Sequence, residues 1–117
     1  MDQRSPYLHD RLHAYAAAIE FYRAVRTIRA RLPRGLGPLG DQLSRAAQSV
    51  CLNLAEGAAA RSVAVKRRHW NIALGSAAEC AAALDLVDIE HGAVPDQLTL
   101  AHGHLRLATL LTLGLTW

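Results

Sequence analysis

The chain has 117 residues, enough for one domain whose core needs no covalent staples. Hydrophobic residues make up 51% but aromatic ones only 5%, with alanine and leucine dominant. That balance argues against a sheet built on β-branched and aromatic runs and favours closely packed helices. The net charge of +3 is too mild to establish a nucleic-acid partner by itself.

Residues 1–7 read as a polar, extended or disordered start, and residues 8–117 as one helical domain. From Leu8 to Leu32 the spacing predicts a helix, with Leu12, Ala16, Ile19, Tyr22, Val25, Ile28 and Leu32 recurring at steps of three or four. Arg23, Arg26 and Arg29 lie three apart on another face. Pro33, Gly35, Gly37, Pro38 and Gly40 then make a loop. A second helix is expected from Pro38–Asp41 to about Gly57, with Leu43, Ala46 or Ala47, Val50 and Leu54 inside. Ser62 is the expected cap of a third helix reaching about His91. On it Trp70, Ala73, Ala77, Cys80, Leu84 and Val87 form one stripe, yet Ile72, Leu74, Ala78, Ala81, Leu86 and Ile89 make the other faces apolar too. A break is expected over Gly92–Pro95, and a last helix capped by Asp96 carries Leu98, Ala101, Leu105, Ala108 and Leu111 plus further leucines at 100, 107, 110, 113 and 115. The fold class is therefore all-α, an antiparallel up-down-up-down four-helix bundle. A helix apolar nearly all round must be covered nearly all round, which implies a subunit interface.

Two runs organise the middle of the chain: Ser49-Val50-Cys51-Leu52-Asn53-Leu54-Ala55-Glu56-Gly57, and Asn71-Ile72-Ala73-Leu74-Gly75-Ser76 followed by Glu79. Both are rich in small residues that let helices approach, and both set polar groups in apolar surroundings. Buried polar groups need partners, so these are expected to fix one packing arrangement of a hairpin that turns near residue 60. The pair of runs resembles the four-helix bundle proteins encoded in 23S ribosomal RNA intervening sequences, and the related accessory variability proteins of diversity-generating retroelements. The likeness rests on Arg45, Ala46, Ala47, Ser49, Val50, Asn53, Leu54, Ala55, Glu56 and Gly57, then on Ile72, Ala73, Gly75, Ser76 and Glu79. It implies a homopentameric ring and suggests a reverse transcriptase with its template RNA as partner. It brings no catalytic motif. The chain departs from the family pattern at Val65, where relatives tend to be acidic, and near Lys66 and His69, where they tend to carry aromatic or large apolar residues. The departure makes this end more basic.

Charge is distributed unevenly. Residues 23–68 hold ten of the thirteen basic residues and two acids, whereas beyond residue 68 one arginine faces five acids. In a bundle, one end gathers Arg29, Arg31 and Arg34 with Asp41, Asp85, Asp88, Glu90 and Asp96, which can neutralise one another. The other end gathers Arg61, Lys66, Arg67, Arg68 and His69, with Arg11 nearby. There the cations occupy the first turns of a helix, where the dipole disfavours each by about 0.3–1 kcal/mol. Three readings stand: a solvated helix start, contact with RNA or DNA phosphates, or docking of an acidic protein.

Other chemistry finds little footing. Asp10 with His13, and Asp88 with His91, have helical ligand spacing but lie near helix ends, and His102 and His104 face different ways, so no metal or cofactor is expected. Ser49 and Ser76 have no adjacent base in sequence, and no phosphate-binding glycine loop occurs, so no enzyme is expected. With a turn near residue 60, Cys51 and Cys80 fall roughly 16 Å apart along the hairpin, too far for a disulfide. Reduced thiols, no leader pattern, and an apolar Leu107–Trp117 too short to span a bilayer lead to the expectation of a cytoplasmic protein without a membrane partner.

Overall fold

The computed structural model describes residues 6–91 and 95–116. Most of the expected polar start, the break at 92–94 and Trp117 lie outside the described residues. A 3-10 turn, Leu8–Arg11, leads into four α-helices: α1 His13–Arg31, α2 Gly37–Ala59, α3 Val63–Glu90 and α4 Pro95–Thr116. A second 3-10 turn, Arg34–Leu36, joins α1 to α2. No strand occurs among the described residues.

Local chemistry sets the boundaries. Leu32 is extended (φ −70°, ψ 139°) because the ring of Pro33 disfavours helical geometry in the residue before it. Pro38 sits in the first turn of α2, where its missing N–H costs nothing. Ser62 caps α3 as expected, its Oγ accepting from the Val65 amide at 3.1 Å. Asp96 lies within the first turn of α4 rather than preceding it, since Pro95 already begins that helix.

Each helix packs against its neighbours in sequence, and α1 closes the square against α4. Cross-helix contacts show the antiparallel registers. Arg29 faces Asp41 and Tyr22 faces Gln48 between α1 and α2, while Ser49 faces Ser76 between α2 and α3. The core stripes expected for the second, third and fourth helices are buried, except that Leu111 is only half-buried. Both Ala46 and Ala47 are inside.

The first helix differs. Its buried face is Ala14, Ala17, Ala18, Phe21, Ala24, Val25 and Ile28. Ala16 is exposed, and Leu12, Ile19, Tyr22 and Leu32 are half-buried. A stripe stepping mostly by threes drifts around a helix of 3.6 residues per turn, so its first half leaves the core. The alanines at 14, 17 and 18 keep the true face narrow, and Phe21 fills the centre.

The apolar surplus read from the sequence is real. Leu52, Ile72, Leu86, Ile89, Leu100, Leu107 and Leu110 are all exposed on a single chain. No helix among the described residues is long and apolar enough to cross a membrane.

Candidate nucleic-acid interface and the hairpin beneath it

The two motif runs meet across the α2–α3 hairpin, the most extensive helix pair in the molecule. Ser49 Oγ and Ser76 Oγ are 2.7 Å apart. Asn53 Nδ2 donates to the Ser49 carbonyl at 2.9 Å and to Ser49 Oγ at 3.1 Å. With its amide nitrogen committed, Asn53 turns Oδ1 toward His69 Nδ1 at 3.1 Å, so that ring nitrogen donates. Glu56 Oε2 lies 3.4 Å from the same nitrogen. The result is a continuous polar chain, Ser76–Ser49–Asn53–His69–Glu56, laid along one side of an otherwise apolar interface. Each half-buried member has a partner, as the cost of desolvating polar groups requires.

Below this chain Gly57 faces Trp70. A Cβ on Gly57 would come 2.4 Å from the indole Nε1 and 2.7 Å from Cδ1, so only glycine lets the indole come this close to α2. The indole N–H is buried there without an acceptor.

Not every motif residue joins this arrangement. Glu79 and Gly75 are exposed on the outer side of α3, and the Glu56 side chain remains 62% exposed beyond its contact with His69. The expectation that all these polar groups lie inside is corrected for the two glutamates. A carboxylate is too costly to desolvate without a matched cation, and both stay in contact with water.

The basic end also divides in two. Lys66 is half-buried, and its Nζ donates to the Gly57 carbonyl at 3.1 Å and the Ala58 carbonyl at 2.9 Å. It thereby caps carbonyls of the last turn of α2, where the dipole favours a cation, and sits 5.7 Å from the Trp70 ring centroid. His69 is turned inward to the polar chain, with 16% of its side chain exposed. Arg61, Arg67 and Arg68 point to solvent and make no ion pair among the described residues. Arg11 is also exposed, on the 3-10 turn that packs against α2 at this end. Four of the six expected basic residues are therefore exposed, and two help hold the hairpin together. Sequence reasoning missed those two inward roles because their partners lie across the turn. One local signal was available: Lys66 and Trp70 are one helical turn apart.

At the opposite end Arg29 chelates Asp41, Nε and Nη2 both reaching Oδ1 at 3.1 and 3.0 Å. The expected wider neutralisation is absent among the described residues. Asp85, Asp88 and Glu90 are exposed and make no ion pair there.

Cys51 and Cys80 are both buried and free. With Ser49 level with Ser76, the hairpin turns later than residue 60, which brings the two thiols to about 9 Å apart along the axis at 1.5 Å per residue. Burial pushes the Cys51 thiol up to about 11. Burial, then the charges of Glu79 and Cys51, push Cys80 up to about 12. Neither thiol is poised as a nucleophile. Among the described residues no three histidine, cysteine or acidic side chains gather in a way that could hold a metal ion.

These features define a class: a small all-helical bundle with a polar-keyed helix hairpin and an arginine-bearing end. The chain belongs to the 23S rRNA-intervening sequence protein family, whose model matches residues 10–102. That span covers both motif runs and the whole basic end. Among curated proteins none matches the chain significantly.

Proposed function

We propose that the protein is a non-catalytic, oligomeric subunit that binds the phosphate backbone of RNA or DNA through its basic end. One observation carries this reading. Arg61, just before the Ser62 cap of α3, and Arg67 and Arg68, in the second turn of that helix, are exposed and make no ion pair among the described residues, at the helix end whose dipole does not favour cations. Lys66 and His69 have structural work that accounts for their presence; these arginines have none. Guanidinium groups suit phosphate oxygens, and contact of this kind fixes position on a nucleic acid without reading its sequence. Membership in a family named for a ribosomal RNA intervening sequence agrees with a nucleic-acid setting. Resemblance to the retroelement accessory proteins supplies a concrete partner, a reverse transcriptase with its template RNA, in the cytoplasm. The exposed leucines of α4 favour assembly, and resemblance to the family makes that a ring of five in which the basic end repeats around one rim.

The test is binding to a structured RNA and to a DNA duplex over a salt series, comparing the natural chain with an Arg61→Glu/Arg67→Glu variant. Affinity should fall steeply with salt, and the variant should lose at least tenfold at fixed salt while keeping its helical content. Binding that survives the double reversal, or no binding at low salt from folded protein, rejects the reading. The second reading, a pure protein-interaction module, rests on the same apolar outer faces and would then take its place.

A further inference from the structure

Arginines flank one side of the bundle as well as its end. On the α1–α2 side, Arg26 and Arg45 are exposed and make no ion pair among the described residues. Two contacts fix their level: Arg29 reaches Asp41, and Gln48 Nε2 donates to the Tyr22 hydroxyl at 3.3 Å. Counting along both helices from these contacts brings Arg26 level with Ser44, beside Arg45. The acids of the two helices are already engaged. Glu20 lies 3.5 Å from Arg23, Asp41 3.0 Å from Arg29 and Glu56 3.4 Å from His69.

Next to these arginines the seam opens into an apolar groove of about 260 Å³, where Tyr15, Ile19 and Tyr22 face Gln48, Cys51 and Leu52. The two tyrosines are half-buried and two helical turns apart, about 10 Å at 1.5 Å per residue. Leu52 is 60% exposed on the opposite lip. A line of rings continues from the groove toward the basic end. Tyr15 meets His9 edge-on at 4.6 Å between centroids, and His9 stacks on Tyr7 at 5.8 Å. Arg11 stands on the same 3-10 turn as His9.

An apolar groove lined with rings and bracketed by cations suits a polyanion that carries flat apolar faces along its length. We propose that it holds the unpaired nucleotides of a single strand, with bases against the tyrosines and phosphates on Arg11, Arg26 and Arg45. The proposal rests on the basic end being a nucleic-acid surface and names the form of nucleic acid taken up. Bases within a duplex are stacked on one another and offer the tyrosines no free face. A strand held at the basic end therefore runs its unpaired part along α1 for roughly 20 Å, from Arg11 to Arg26. Every base has a face that can stack, so the groove needs no particular sequence.

The test compares a single-stranded thymidine oligonucleotide with a DNA duplex of the same length, by fluorescence anisotropy over a salt series. Arg26→Glu/Arg45→Glu should cost the single strand at least about tenfold and the duplex less than about twofold. Both positions are exposed, so circular dichroism should show unchanged helix. Tyr22→Leu keeps apolar bulk but removes the ring. It should cost the single strand about fivefold or more with the salt slope unchanged, because stacking releases no counterions. Either variant binding the single strand as the natural chain does, or an equal loss on both probes, overturns the proposal. So does a lower copy number for Arg26→Glu/Arg45→Glu in sedimentation equilibrium, which would give the groove to a neighbouring copy. Duplex binding that still responds to Arg61→Glu/Arg67→Glu then sinks the groove alone, whereas folded protein that binds neither probe sinks the basic end with it.

Discussion

The hairpin of α2 and α3 and the helix α4 bury similar aliphatic residues but specify their positions differently. In the hairpin, polar atoms reach across the interface: Ser49 to Ser76 and Asn53 to His69, with Lys66 reaching back over the turn to the end of α2. In α4 three threonines turn their hydroxyls to their own helix, Thr109 to the Leu105 carbonyl, Thr112 to Ala108 and Thr116 to Leu113. Apolar contact tolerates sliding, whereas a hydrogen bond between two named atoms does not. The hairpin thus sets one register, and α4 fills the remaining side with leucine surface to spare. A half-satisfied polar interface would be worse than an apolar one, so the hairpin network works only as a complete set.

The largest way to break this contrast is at glycine. Gly57→Ala drives a methyl into the Trp70 indole, and the ring can yield only by moving the hairpin. The expected loss is at the upper end of about 1–3 kcal/mol in urea unfolding. The same change at Gly103 on α4, where a Cβ meets nothing within 4 Å, should instead raise stability by up to about 1 kcal/mol through helix propensity. Equal effects at the two sites would show that the hairpin is no more tightly specified than α4. A smaller separation is expected among the polar side chains. Asn53→Ala leaves Ser49 and His69 with unmet partners and should cost about 1–2 kcal/mol. Thr112→Val removes only a bond to the helix's own backbone, and thermal unfolding should place it within about 0.5 kcal/mol of the natural chain.

The legible parts of the fold were those whose pattern keeps phase with the helix. Trp70, Ala73, Ala77, Cys80, Leu84 and Val87 step by threes and fours in alternation, and all six are buried. In the first helix the stripe through Ala16, Ile19 and Tyr22 steps by threes and winds off the core, while the alanine face beside it carries too little hydrophobicity to stand out. Within the candidate site, the exposure of Arg61, Arg67 and Arg68 followed from charge and position alone. The roles of Lys66 and His69 did not, because Gly57, Ala58, Asn53 and Glu56 come near only once the turn has formed. A run of basic residues reads as one patch in sequence; geometry sorts it by which way each helix position faces.

Lys66 offers the finest test of that sorting. Lys66→Met keeps most of the aliphatic stem against Trp70 and removes the cation from the end of α2. The loss of a charge favourably placed at a helix C-terminus should cost about 0.3–1 kcal/mol, read as a small drop in the unfolding midpoint. If Lys66 is committed to the Gly57 and Ala58 carbonyls, the salt dependence of nucleic-acid binding should not change, because no phosphate contact is lost. A salt slope lowered by about one would mean that the side chain leaves α2 to meet phosphate. The inward half of the basic end would then belong to the same surface as Arg61 and Arg67, and the end of α2 would be uncapped whenever nucleic acid is bound.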